Sequence, residues 1–194
     1  MKTATPLSNK TILITRPVGR ELQLRQLIER AGGNVIHYPA FSIEPPQELE
    51  IEQLITLRSQ LHKFTMAIFI SPTAVEQSQI YFPALPEHFT IVSIGSKTTE
   101  ALEQQNISVD IEAPEHDTES LLHTAEFQMP QIDGQRIVIF RGSGGRTLLG
   151  DTLVRRGAQI RYVETYRREI PHHTPLTEQQ TKKLDAIKIG RAHV

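Results

Sequence analysis

Apolar residues along this chain fall into two alternating rhythms. Short β-branched runs end in glycine, proline or serine, and each is followed by a stretch whose apolar positions recur every three or four residues. That alternation predicts an α/β fold built on parallel strands. The first unit is TILITRP (residues 11–17), followed by a helix with Leu24, Leu27, Ile28 and Ala31 on one face and Gly32-Gly33 closing it. The pattern returns in MAIFISP with TAVEQSQIYF, in FTIVSIG with SKTTEALEQQN, and in RIVIFRG with a helix carrying Leu148, Leu149, Leu153 and Val154. NVIHYPAFSI, from Asn34, reads as one further strand running into Pro45-Pro46. In an open parallel sheet Arg16, Ser71, Gly95 and Arg141 then stand at strand carboxyl ends, where such folds bind ligands.

Proline breaks the pattern twice, within residues 38–46 and within the polar stretch ETYRREIPHHTP, residues 164–175. Two crossings around a central block predict one domain inserted in another. The expected outer lobe combines residues 1–38 and 168–194, and the inserted lobe holds residues 39–167.

Charge narrows the partners. The 21 Lys+Arg against 22 Asp+Glu give a formal net charge of −1, so no bulk positive field gathers nucleic acid or an acidic membrane surface. The absence of cysteine excludes a disulfide framework, a thiolate metal site and a cysteine nucleophile. Apolar runs such as Met66 to Ile70 are too short to span a bilayer, and MKTATPLSNK has no hydrophobic signal core. A soluble, cytoplasmic-type protein is expected.

The loop RGSGGR (141–146) fails both nucleotide signatures. Arg146-Thr147 stands where a Walker loop needs Lys followed by Ser or Thr, and Thr147 occupies the place of the third glycine of a dinucleotide fingerprint. Two readings stay open: an anion-binding turn in which glycine amides and Arg141 and Arg146 meet a carboxylate or phosphate, or an ordinary tight turn. Thr98 and Thr99 follow Gly95 at a helix start and either donate hydroxyls to a ligand or cap the helix. Ser71 reads as an N-cap with Pro72 as first helical residue. His172-His173 lacks a third ligand at a plausible spacing, so no metal is expected. Tyr166 lies between a strand and Arg167-Arg168; it is either a packed tyrosine or a phenol held for an acidic ligand.

Several stretches in order carry a resemblance: ILITRP (12–17), IFISPTAVEQ (68–77), VSIGSKTTEAL (92–102), IVIFRGSGGRTLLGDTLVRRGAQI (137–160) and VETYRR (163–168). Together they resemble the uroporphyrinogen-III synthase family of tetrapyrrole biosynthesis. The resemblance implies two α/β lobes of parallel sheet with flanking helices, one inserted in the other and joined by an extended two-stranded linker. It also implies a cyclising lyase that converts hydroxymethylbilane, a linear tetrapyrrole with many carboxylates, to uroporphyrinogen III. Water is lost and the last ring is inverted through a spiro intermediate, with no cofactor or metal. The expected partner is that small molecule alone, met by a monomer without nucleic acid or membrane. Carried across by position, Tyr166 is expected to protonate the departing hydroxyl, and Arg16, Ser71, Thr98, Arg141, Gly142 and Gly144 to bind substrate.

The chain departs from the family at its end. Family members continue through further strand–helix units, whereas this sequence closes with LDAIKIGRAHV. An incomplete outer lobe is therefore expected, with residues 188–194 foreign, since IGRAHV can be encoded by ATC GGA AGA GCA CAC GTC, which matches a common sequencing adapter. Two other functional readings stay open: an inactive fragment that only binds acidic tetrapyrrole, and a nucleotide- or phosphate-binding α/β enzyme using RGSGGR.

Overall fold

The computed structural model describes residues 6–171, 178, 181 and 182. His172-His173 and the expected foreign residues 188–194 lie outside the described residues. The chain groups into two compact units, one of Met1–Ile43 with Arg168–Val194 and one of Glu44–Arg167.

In the first unit, β1 (Thr11–Ile14) and β2 (Asn34–His37) pair in parallel, connected through α1 (Leu22–Arg30). Ile14, Ile28 and Ile36 are buried. Of the predicted helix stripe only Ile28 is fully covered, and Leu27 is 62% exposed. NVIHYPAFSI is two strands, not one: β2 ends at His37 and β3 (Ser42–Glu44) begins after a break. Pro39 sits in the break and has no N–H to give to a ladder.

The second unit follows the chain order α2 (Glu48–Arg58), β4 (Met66–Phe69), α3 (Pro72–Tyr81), β5 (Thr90–Ser93), α4 (Ser96–Glu103), β6 (Ile111–Glu112), α5 (Thr118–His123), β7 (Arg136–Gly142), α6 (Leu148–Arg155) and β8 (Gln159–Glu169). Its sheet has the order β8-β7-β4-β5-β6 with every pair parallel, and β3 lies outside β8. The α/β class and parallel sheets agree with the sequence reading.

The reason lies in burial on both faces. All four residues of β4 are buried, as are the last six of β7, so both read as unbroken apolar or β-branched runs. One face sends Met66, Ile68, Ile137 and Ile139 against Leu121 and Leu122 of α5 and Leu149 and Leu153 of α6. On the other, Phe69 stacks on Phe140 with centroids 4.5 Å apart, and Phe82 meets Phe140 edge-on at 5.3 Å. Val154, expected on the inner face of α6, is 56% exposed, because Leu149 and Leu153 one turn apart fill that face.

Helix α2 was not predicted. Its apolar residues are spread around the cylinder and only Leu54 and Leu57 are buried, so no single stripe marks it. It is started by a capping box in which Glu50 takes the backbone N–H of Gln47 at 2.6 Å. Among the described residues no helix is long and apolar enough to cross a membrane.

Candidate active site

Strand order creates the site. From β4 the chain moves outward through β5 to β6 on one side, and from β7 to β8 on the other. The direction reverses between β4 and β7, so the carboxyl ends of these two strands form the topological switch point, where sheets of this kind bind ligands. Phe69 pairs with Phe140 in the ladder, so Ser71 and Gly142 stand side by side just beyond it.

Ser71 is the N-cap of α3, accepting the Ala74 N–H at 3.1 Å, and Pro72 occupies the first turn, as the sequence predicts. Its Oγ also lies 3.5 Å from the Tyr166 hydroxyl, at the outer limit of a hydrogen bond. Replacing Ser71 by alanine leaves the Ala74 N–H without this acceptor. We expect a loss of about 1 kcal/mol, read as a lowered urea midpoint with an unchanged slope.

Tyr166 reaches Ser71 because Gly142 has no side chain. A Cβ on Gly142 would stand 2.6 Å from Cε2 and Cζ of the Tyr166 ring. The β7–β8 register helps: Arg141 pairs with Glu164 but Gly142 with Tyr166, so Thr165 is an extra residue in a bulge. The Ser143 N–H then donates to the Tyr166 carbonyl at 2.9 Å. Tyr166 is 1% exposed and Thr165 fully buried, with its hydroxyl unpartnered among the described residues.

The RGSGGR loop is folded around its own first arginine. Arg141 is 4% exposed, and its guanidinium donates to the carbonyls of Gly142 (3.2 Å), Gly145 (2.6 Å) and Arg146 (3.3 Å). Direct carboxylate contact by Arg141 and Gly142 does not fit this geometry. The arginine is filled by loop carbonyls, and the glycine is covered by the Tyr166 ring. Gly144 is exposed at the loop tip with φ +69°, the left-handed region that suits glycine. Arg146 points outward and donates to Glu119 Oε1 at 2.6 Å.

Thr98 does not face a ligand either. It is 1% exposed and its hydroxyl donates back to the Ile94 carbonyl at 3.0 Å. The helix N-cap is Gly95, with φ +91°, so neither threonine caps α4. Thr99 instead bridges Ser93 (2.7 Å) and Glu112, and Glu112 lies 3.3 Å from His116 Nδ1. Arg16, in the other unit, has an exposed side chain, and its carbonyl accepts from His37 Nε2 at 2.8 Å.

The structure thus brings Ser71, Gly142 and Tyr166 together at the switch point, beside the loop of Arg141 and Gly144. The family model described as uroporphyrinogen-III synthase HemD matches residues 23–189. The chain belongs to the uroporphyrinogen-III synthase family. It is 31% identical over 169 residues to the uroporphyrinogen-III synthase of Escherichia coli (strain K12), covering 84% of this chain and 67% of that one. With the synthase of Proteus mirabilis it shares 34% identity over 167 residues, 81% of this chain and 80% of the relative. A mutant uroporphyrinogen III synthase from the extremely thermophilic bacterium Thermus thermophilus has the same fold, with a TM-score of 0.60 at 16% identity over 82% of this chain. The match spans 62% of that solved chain's length.

Proposed function

We propose that this chain catalyses the reaction for which its family is named: cyclisation of hydroxymethylbilane to uroporphyrinogen III, with loss of water and inversion of the last ring, in the cytoplasm and as a monomer. The observation that carries the reading is the meeting of Ser71, Gly142 and Tyr166 at the switch point of a chain in this family. Unassisted closure gives the uninverted isomer, so the protein's main task is to hold a flexible chain in one geometry. Strand ends beside an amide-rich loop suit a ligand with many carboxylates. Ser71, Gly144 and Arg146 of the Glu44–Arg167 unit are its ligand-contact candidates.

Tyr166 is the candidate acid for the departing hydroxyl. Its phenol O–H is a hydrogen-bond donor placed at the switch point, and donation of such a proton to a leaving oxygen is general acid catalysis. Tyr166→Phe keeps the ring over Gly142 and removes only the hydroxyl, with its contact to Ser71. Turnover is expected to fall by roughly 10²- to 10⁴-fold with the fold intact; unchanged turnover removes Tyr166 from the chemistry.

The deciding assay supplies hydroxymethylbilane to the purified chain, oxidises the product and separates uroporphyrin isomers by chromatography. Mostly isomer III is the expected result. Isomer I alone, as without protein, overturns the proposal.

A further inference from the structure

Arg141 is a buried cation, and a buried cation needs fixed partners. The loop carbonyls supply dipoles, and two β8 side chains supply the rest. Glu164 Oε1 lies 3.3 Å from Nε of Arg141. The guanidinium carbon lies 4.5 Å from the centroid of the Tyr162 ring, within cation–π range. The Tyr162 hydroxyl donates to the Thr147 carbonyl at 3.3 Å, at the far end of the same loop. Burial pushes the Tyr162 phenol up, against the opposing pull of Arg141, so it remains a donor. Tyr162 also packs against Gly150, where any Cβ would overlap its hydroxyl.

These contacts set the direction of the loop's peptide planes. In a planar trans peptide, a carbonyl turned one way sends the following N–H the other way. The Gly142 carbonyl faces Arg141, and the Ser143 N–H accordingly points elsewhere, to Tyr166. The carbonyls of Gly145 and Arg146 also face Arg141, so the N–H groups of Arg146 and Thr147 turn away from the guanidinium.

We propose that Glu164 and Tyr162 are positioning residues for the reaction, holding Arg141 inside the RGSGGR loop and thereby aiming the loop amides at a ligand carboxylate. The inference rests on the function proposed above. It differs from the sequence expectation in making Arg141 an internal strut, held from the neighbouring strand.

The test uses Glu164→Gln, which keeps shape and removes charge, and Tyr162→Phe, which keeps the ring and removes the hydroxyl, both in the full chain. Three readouts are taken: hydrogen exchange of a peptide covering residues 142–149, equilibrium binding of uroporphyrin III as probe, and the isomer ratio with KM and kcat. Each variant is expected to exchange about three- to tenfold faster in that peptide and to bind the probe more weakly by a similar factor. The product shifts toward isomer I, with KM raised more than kcat is lowered. Glu164→Asp, which retains the charge, recovers part of the probe affinity. Unchanged exchange and binding in both variants overturns the proposal, and so does faster exchange with unchanged binding and isomer ratio, which would make the contacts structural only. If the unsubstituted chain itself yields no isomer III, the proposed function fails, and exchange and probe binding still decide whether Glu164 and Tyr162 aim the loop.

Discussion

Gly142→Ala is expected to remove most isomer-III production from a chain that still folds. The new Cβ would stand 2.6 Å from two ring carbons of Tyr166 and 3.0 Å from its hydroxyl oxygen. Relief is costly on either side, since Tyr166 is buried and Gly142 lies in the hydrogen-bonded register of β7 and β8. Overpacking of this kind costs about 1–3 kcal/mol, which a parallel sheet core of this size tolerates. The ring must nevertheless move, taking its hydroxyl away from Ser71. A displacement of about 1 Å at a reacting group is enough for roughly a 10²-fold loss of rate. Steady-state turnover and isomer ratio, together with urea unfolding, check both parts. Gly134→Ala is the control: φ is +72° there with open space around the missing Cβ, so backbone strain of about 1–2 kcal/mol is expected with turnover unchanged. Wild-type turnover in Gly142→Ala would mean that the ring's position over this glycine does not matter to the reaction.

What the sequence made legible was set by burial. β4 and β7 are covered on both faces, so MAIF and IVIF announce themselves as continuous apolar runs. Ser71-Pro72 is legible because a cap and a first-turn proline act locally. Helix α2 was hidden because Leu49 and Ile55 are exposed while Leu54 and Leu57 are buried; the signal present was Gln47 with Glu50 after Pro45-Pro46. The direction of a side chain is a different matter. Residue type marks Arg141 as an anion binder, yet tertiary packing turns it onto its own loop. The trace left in the sequence is the alternation of Tyr162 and Glu164 along a strand beside it, which places both on one face. The extra residue of the β8 bulge leaves no such trace, because nothing in ETY distinguishes a bulged threonine from a paired one.

Phe140→Ala is expected to give the largest loss of stability. Phe140 is fully buried on β7, stacked against Phe69 of β4 with planes 4° apart and met edge-on by Phe82 at 79°. Truncating a buried phenylalanine costs about 3–5 kcal/mol through lost transfer free energy and the cavity left behind. The aromatic pairs add about 0.5–1.5 kcal/mol each beyond burial. A total of this size is a large share of a domain's ordinary stability of about 5–15 kcal/mol. Unfolding of the Glu44–Arg167 unit in urea should therefore occur at a much lower midpoint, with Phe140→Leu falling between because more of the volume is kept. The position of the ring also ties stability to function. Phe69 and Phe140 lie in register immediately before the strand ends that present Ser71 and Gly142, so they fix the spacing of β4 and β7 beneath the switch point. At temperatures where Phe140→Leu remains folded, its isomer ratio should move toward isomer I. A Phe140→Leu chain that is less stable but equally faithful would show instead that the meeting of Ser71 and Gly142 is held from above, by Tyr166 and the loop, without help from the aromatic stack.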